Sequence, residues 1–183
     1  YAIGGPKISG SLREVRVLRE GRTVSQVDLY DYLIKGTSPN DQRLQMGDIV
    51  FVPPRALTVA ISGEILHPGI YELTSRENLG DLLKIAGGLN PTAYAFRAQI
   101  DRILPMEKRV KGQVERELID VDIDAVVSRQ KMIKLVDGDL VQIFPIIDNL
   151  KNYVDVMGTG VVRPGRYELN KNITTFSDLI AAA

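Results

Sequence analysis

The chain has 183 residues, room for one or two ordinary domains that each bury a core. Its 23 basic and 23 acidic residues cancel, which argues against a surface built to neutralise nucleic-acid phosphates or anionic lipid and leaves only local patches for such a role. Cysteine is absent, which excludes disulfides, thiolate metal sites and a cysteine nucleophile, and no apolar run approaches a membrane span. No signal peptide is present and the first residue is tyrosine, so the sequence reads as a piece of a longer protein whose targeting and membrane segments, if any, lie outside it.

Ala2-Ile3-Gly4-Gly5 resembles Ile85-Ala86-Gly87-Gly88 further on, and Val15-Arg16-Val17-Leu18-Arg19 resembles Ala98-Gln99-Ile100-Asp101-Arg102, both at an offset of 83. The first residues thus read as the end of a helix. Leu12–Leu18 and Thr23–Leu29 predict a hairpin across Arg19-Glu20-Gly21-Arg22, with apolar alternation at Val15, Val17, Val27 and Leu29. Tyr30–Lys35 predicts a short helix stopped by Gly36, and a polar loop follows over Thr37–Gln42. Ile49-Val50-Phe51-Val52 is a continuous apolar run between Gly47-Asp48 and Pro53-Pro54, the pattern of a buried strand.

Thr58 to Gly88 organises the chain. Val59, Ile61, Gly63 and Ile65 alternate with Thr58, Ala60, Ser62 and Glu64, which predicts a strand with one buried face. Pro68-Gly69 predicts a type II turn with Gly69 at positive φ, hence strain in Gly69→Val, and a second strand over Ile70–Leu73. Leu79, Leu82, Leu83 and Ala86 have helical spacing behind Asn78 as N-cap and Asp81 in the first turn, and Gly87-Gly88 provides the left-handed closure. Next come a strand over Ala98–Leu104, a charged turn over Glu107–Gly112, a strand over Val114–Val121 and a short helix near Ile123–Ser128. Leu135–Pro145, with Gly138 in its turn, copies the earlier Leu44–Pro54 segment, and Val27-Asp28-Leu29 aligns with Ile119-Asp120-Val121. One full unit therefore reads ββαββαβ, with Pro53–Ala56 and Ile146–Lys151 as linkers.

The organising stretch recurs after Val154. Pro164-Gly165-Arg166-Tyr167-Glu168-Leu169 repeats Pro68 to Leu73 at an offset of 96, and Phe176, Asp178 and Leu179 repeat Leu79, Asp81 and Leu82 at 97. Joint preservation of turn chemistry, strand period and helix phase marks an internal repeat. The path from Gly158 to Pro164 is one residue longer than that from Gly63 to Pro68, which suggests a bulge before the turn.

Candidate sites are few. His67 has no second histidine or cysteine to share a metal with, and reads as an exposed turn residue. Asp48 and Asp139 follow glycine where strands begin, a turn role rather than a catalytic carboxylate pair. Lys108-Arg109-Val110-Lys111 reads as a solvated hairpin tip in preference to a nucleic-acid patch. Gly87-Gly88 follows a helix instead of opening one, so it is no phosphate loop. Tyr71 and Tyr167 share faces with Leu73 and Leu169 and are expected to pack inward, a sugar-stacking platform being the minority reading. Arg97 and Arg102 either line a ligand groove or are surface arginines lying over apolar neighbours.

Taken together, V-x-I-S-G-E-I, P-G-I-Y-E-L, N-L-G-D-L-L-x-I-A-G-G-L-x-P-x-A-Y and the closing G-D-x-V-x-I-x-P resemble the soluble-ligand-binding β-grasp (SLBB) domains of bacterial polysaccharide export proteins. The resemblance implies an α+β fold of tandem β-grasp units, mixed sheets with helices on one face, divided as residues 1–55, 56–147 and 152–183. It also implies a periplasmic, non-catalytic part of a ring-forming outer-membrane channel. The partners it implies are other subunits, the exported polysaccharide and an inner-membrane export component. No cofactor, metal, nucleic acid or membrane span in this segment belongs to that picture. Tyr71, Tyr94, Arg97 and Arg102 are the positions to watch for a bound glycan, while Pro68, Gly69, Gly87, Gly88, Gly138, Pro164 and Gly165 are structural turns. By the offsets, Ile3 and Ala183 both map to Ala86, so the two terminal segments together amount to one unit. The expectation is that Val154–Ala183 completes, in a partner copy, the fold begun by Tyr1–Pro54. The alternative is an uncompleted half-unit at each end.

Overall fold

The computed structural model describes residues 5, 7–37, 40, 42–112 and 114–182; the helix end expected at Ala2-Ile3-Gly4 and the final Ala183 lie outside them. The elements run β1 (Val15–Arg19), β2 (Arg22–Val27), α1 (Leu29–Lys35), β3 (Ile49–Phe51), β4 (Leu57–Gly63), β5 (Gly69–Leu73), α2 (Leu79–Ile85), β6 (Ala93–Ile103), β7 (Arg116–Val121), α3 (Ile123–Val127), β8 (Leu140–Pro145), β9 (Tyr153–Val156), β10 (Gly165–Glu168) and α4 (Phe176–Ala182). They form two compact units, Tyr1–Ile146 and Ile147–Ala183. The class is α+β.

The main core lies under the five-stranded sheet β5-β4-β8-β6-β7. β4 and β8 pair in parallel and the other neighbours are antiparallel, so the sheet is mixed. Alternation places Val59, Ile61, Ala98, Ile100, Val121, Val141 and Ile143 on one face, where they are buried against Leu79, Leu82 and Leu83 of α2 and Ile123 and Val126 of α3. Helix α2 forms as its sequence predicts. The Asn78 side chain accepts from Gly80 N–H, Asp81 reaches back to the Asn78 N–H, and Gly87 and Gly88 take φ of 86° and 92°.

Gly69 departs from expectation. It opens β5 opposite Ile61 with φ outside the positive range, and a Cβ there would meet only the Tyr71 ring at 3.7 Å. The β4–β5 connection is therefore the loop Glu64–Pro68 and no tight turn at Pro68-Gly69. The constrained glycine is Gly63, with φ 85° and an ideal Cβ position 2.0 Å from the Ile143 carbonyl oxygen, where the parallel strands approach.

In the first sheet, order β2-β1-β3, Val15 pairs with Val27 and Val17 with Val50. The corresponding pairs in the large sheet are Ala98 with Val121 and Ile100 with Val141. This register aligns Val27 with Val121 and the α1 cap Asp28 with the α3 cap Asp122, two positions from the alignment drawn from sequence. β3 itself is exposed along its length, contrary to the expected buried strand. Its apolar run matches that of β8, but among the described residues no strand lies on its second edge.

The second unit pairs β9 with β10 in an unbroken register, Val156 with Gly165 and Val154 with Tyr167. Its extra residue relative to the central unit lies in the connecting loop instead of a strand bulge.

Candidate functional site

The four watched positions do not converge. Tyr71 is partly buried against the core, and its hydroxyl donates to the His67 carbonyl at 2.7 Å, tying down the β4–β5 loop; Tyr167 does the same with Arg163 at 2.6 Å. Arg102 grips Asp139 through Nε and Nη2 at 2.9 and 2.8 Å and also donates to the Lys134 carbonyl. Asp139 in turn accepts from Val136 N–H. The arrangement recurs: Arg19 binds both oxygens of Asp48 at 2.8 and 2.9 Å, and Asp48 accepts from Gln45 N–H. Both aspartates thus close the turn before a strand, each held by an arginine from the neighbouring strand. The Arg19 hydrogen bond, helped by Gln45 N–H, holds the Asp48 carboxyl at about 2.

Tyr94 and Arg97 do lie close along β6, where the ladder to β8 is interrupted between Ala93 and Ala98. Tyr94 packs edge-on against Phe96, ring centroids 5.6 Å apart, and both rings are exposed. The Arg97 guanidinium stands 5.6 Å from the Phe144 ring centre and donates to Asp120 at 3.1 Å. Gln99 shares that carboxylate, and the Gln99 and Arg97 hydrogen bonds hold Asp120 below the ordinary aspartate value. This corner offers open aromatic faces beside an engaged cation, a surface chemistry suited to sugar C–H faces. Phe96 was missed from sequence, although the Tyr94-Ala95-Phe96 alternation already placed two aromatics on one side of a strand.

The outer face of the large sheet is the other broad surface. Ile70, Ala60, Leu140, Asp101 and Leu118 stand side by side in one row across all five strands. The Ile70, Leu140 and Leu118 side chains are exposed. The next row, Ser62, Gln142, Gln99 and Asp120, is polar.

A third feature escaped the sequence reading. Glu72, on the strand face opposite Tyr71 and Leu73, is only 2% exposed. Its carboxylate accepts from Leu12 N–H at 2.8 Å, and its own N–H donates to Tyr30 Oη at 2.9 Å. Beside it, Arg13 donates to both oxygens of Asp28, both of Glu77 and the Glu72 carbonyl, with its guanidinium 4.5 Å from the Tyr30 ring centre. This network fastens the first sheet and α1 onto β5 and α2. Burial pushes Glu77 up, but the Arg13 and Thr74 hydrogen bonds outweigh it and hold the carboxyl below its ordinary value.

Among the described residues no cluster of three His, Cys, Asp or Glu side chains is placed to hold a metal, and no helix is long and apolar enough to cross a membrane. In the motif that opens the central unit, Glu64 accepts from Thr92 and Asn90 and pins the following loop, a structural task. A search of curated proteins finds no match. Residues 58–116 match the family model of the SLBB domain, a family of binding modules, from β4 to the first residue of β7. The matched stretch holds the capped helix α2 and the close strand contact at Gly63.

Proposed function

We propose that the chain is a non-catalytic module of a bacterial capsule or exopolysaccharide export assembly, positioned in the periplasm and working by packing against neighbouring subunits of the same protein. The SLBB match supplies the binding-module class. The observation that carries the packing role is the outer face of the large sheet. It sets exposed Ile70, Leu140 and Leu118 in one row, with Asp101 between the last two, next to a polar row, a mixed composition that suits a protein contact. The arginines that the resemblance offered as ligand contacts support this reading, because Arg102 is occupied by Asp139 and Arg97 by Asp120.

A second reading rests on the exposed Tyr94–Phe96 pair, which suits a glycan. Titration of the labelled protein with capsular oligosaccharides, followed by NMR, separates the two. The packing role predicts no saturable shifts at Tyr94, Phe96 or Arg97. Saturable shifts clustered there, abolished by Phe96→Ala with the fold intact, overturn it in favour of glycan binding.

A further inference from the structure

The groove between α2 and α3 belongs wholly to the central unit, and all of its lining lies between residues 78 and 132. The two helices meet where Gly80 faces Val126. A Cβ on Gly80 would stand 3.6 Å from Val126 Cγ1, so the missing side chain lets α3 lie close. Beside that contact is an open cavity of about 640 Å³, within the roughly 300–1,000 Å³ of small-molecule sites. Buried Leu83 and Val126, half-buried Leu89 and exposed Val127 and Met132 supply its apolar lining.

Three cations and one carboxylate line the same groove. Lys84 is engaged with Asp81 at 3.0 Å, whereas Arg129 and Lys131 form no salt bridge among the described residues. The end of α3 fixes their place. Gln130 N–H and Lys131 N–H both donate to the Ala125 carbonyl, at 2.9 and 3.0 Å, and fold the chain back over the last turn of the helix. The fold-back puts Arg129 at φ 60°, a left-handed conformation that is costly for a residue with a Cβ. Helix α1 closes instead through Gly36 at φ 66°. At the end of α3 a guanidinium thus stands where glycine would be the unstrained choice.

We infer that this groove binds a small amphiphilic anion, with its apolar body on Leu83, Val126 and Met132 and its charged head, a carboxylate or a phosphate, at Arg129 and Lys131. The one carboxylate of the lining, Asp81, is already held by Lys84, so the remaining charge is positive and favours a negative group from outside the chain. A head group without an apolar body would leave the apolar lining wet, and an apolar body without a head group would leave the cations unused. The inference does not depend on any role in export, and the Tyr94–Phe96 corner on β6 is a separate surface.

NMR titration of the labelled chain with octanoate, octyl phosphate, octanol and inorganic phosphate tests it. Octanoate and octyl phosphate give saturable shifts at the amides of Gly80, Leu83, Gly88 and Arg129, and the tighter of the two identifies the preferred head group. Octanol keeps the body without the charge and inorganic phosphate the charge without the body, and each binds about tenfold or more weakly. Arg129→Gly removes the cation and relieves the backbone at once, so it weakens octyl phosphate binding about tenfold without lowering the melting temperature. Val127→Glu, at an exposed position, sets a like charge beside the head group and weakens binding as well. Equal affinity for octanoate and octanol overturns the inference, as does unchanged affinity in Arg129→Gly. Saturable shifts confined to the outer sheet face or to Tyr94 and Phe96, or no saturable shift with any of the compounds, also overturn it.

Discussion

Arg13 satisfies two carboxylates, one backbone carbonyl and one aromatic face at once, and it is nearly buried while doing so. Removing it strands Asp28 and Glu77 together, and a carboxylate left unpaired in a poorly hydrated place is costly. Arg13→Ala is expected to destabilise the first sheet by about 2–3 kcal/mol, with Arg13→Lys recovering part of it; urea denaturation monitored at Tyr30 measures both. A pH dependence follows from Asp48. Its folded value of about 2 lies below the ordinary 3.8, so its stabilising contribution is complete above about pH 4 and disappears as pH falls through about 2. Glu77 acts in the same direction, its contribution lost on acidification through a folded value below the ordinary one. Melting temperature measured against pH is expected to fall on the acid side, and Asp48→Asn to flatten that fall. None of the Arg13 network was legible from sequence, because its partners are 15, 59 and 64 positions away and no periodicity encodes such contacts.

At the scale of single elements, what was legible was what is local. Helix α2 formed where a cap, an acidic first turn, a helical apolar stripe and two closing glycines all agreed. The glycines of the turn were misassigned, since the positive φ belongs to Gly63, and only the approach of β8 from far along the chain explains why. Gly63→Ala is therefore expected to cost about 2 kcal/mol or more, because a methyl meets the Ile143 backbone at a positive φ. Gly69→Val is expected to change stability by less than about 0.5 kcal/mol. Thermal melts of the two variants check the contrast, and equal losses would return the constraint to Gly69. Strand β3 shows the same limit from the other side. Ile49-Val50-Phe51 has the apolar run of a buried strand, but burial is conferred by a neighbour and a sequence run cannot show whether the neighbour is there.

Across the whole molecule, the repeat read from turn chemistry, strand period and helix phase is accompanied by shared ion pairs and loop ties, Arg19–Asp48 with Arg102–Asp139 and Tyr71 with Tyr167. Its alignment slipped by two positions at Val27, where composition alone matched Asp28 to the wrong aspartate and the strand register corrected it. Hydrogen exchange is expected to be slowest at Ile61, Ile100 and Val141, whose strands pair on both edges. The parallel seam between β4 and β8 also sets the order in which the central unit folds. Thr58 meets Asp137 across 79 positions, whereas β4 with β5 and β6 with β7 are joined through nearby chain. Long-range closure is the slow step in such a topology. The two hairpins with their helices therefore form early and the seam shuts last, and until it shuts, a newly made chain leaves the facing edges of β4 and β8 unpaired, where strands of separate chains can join.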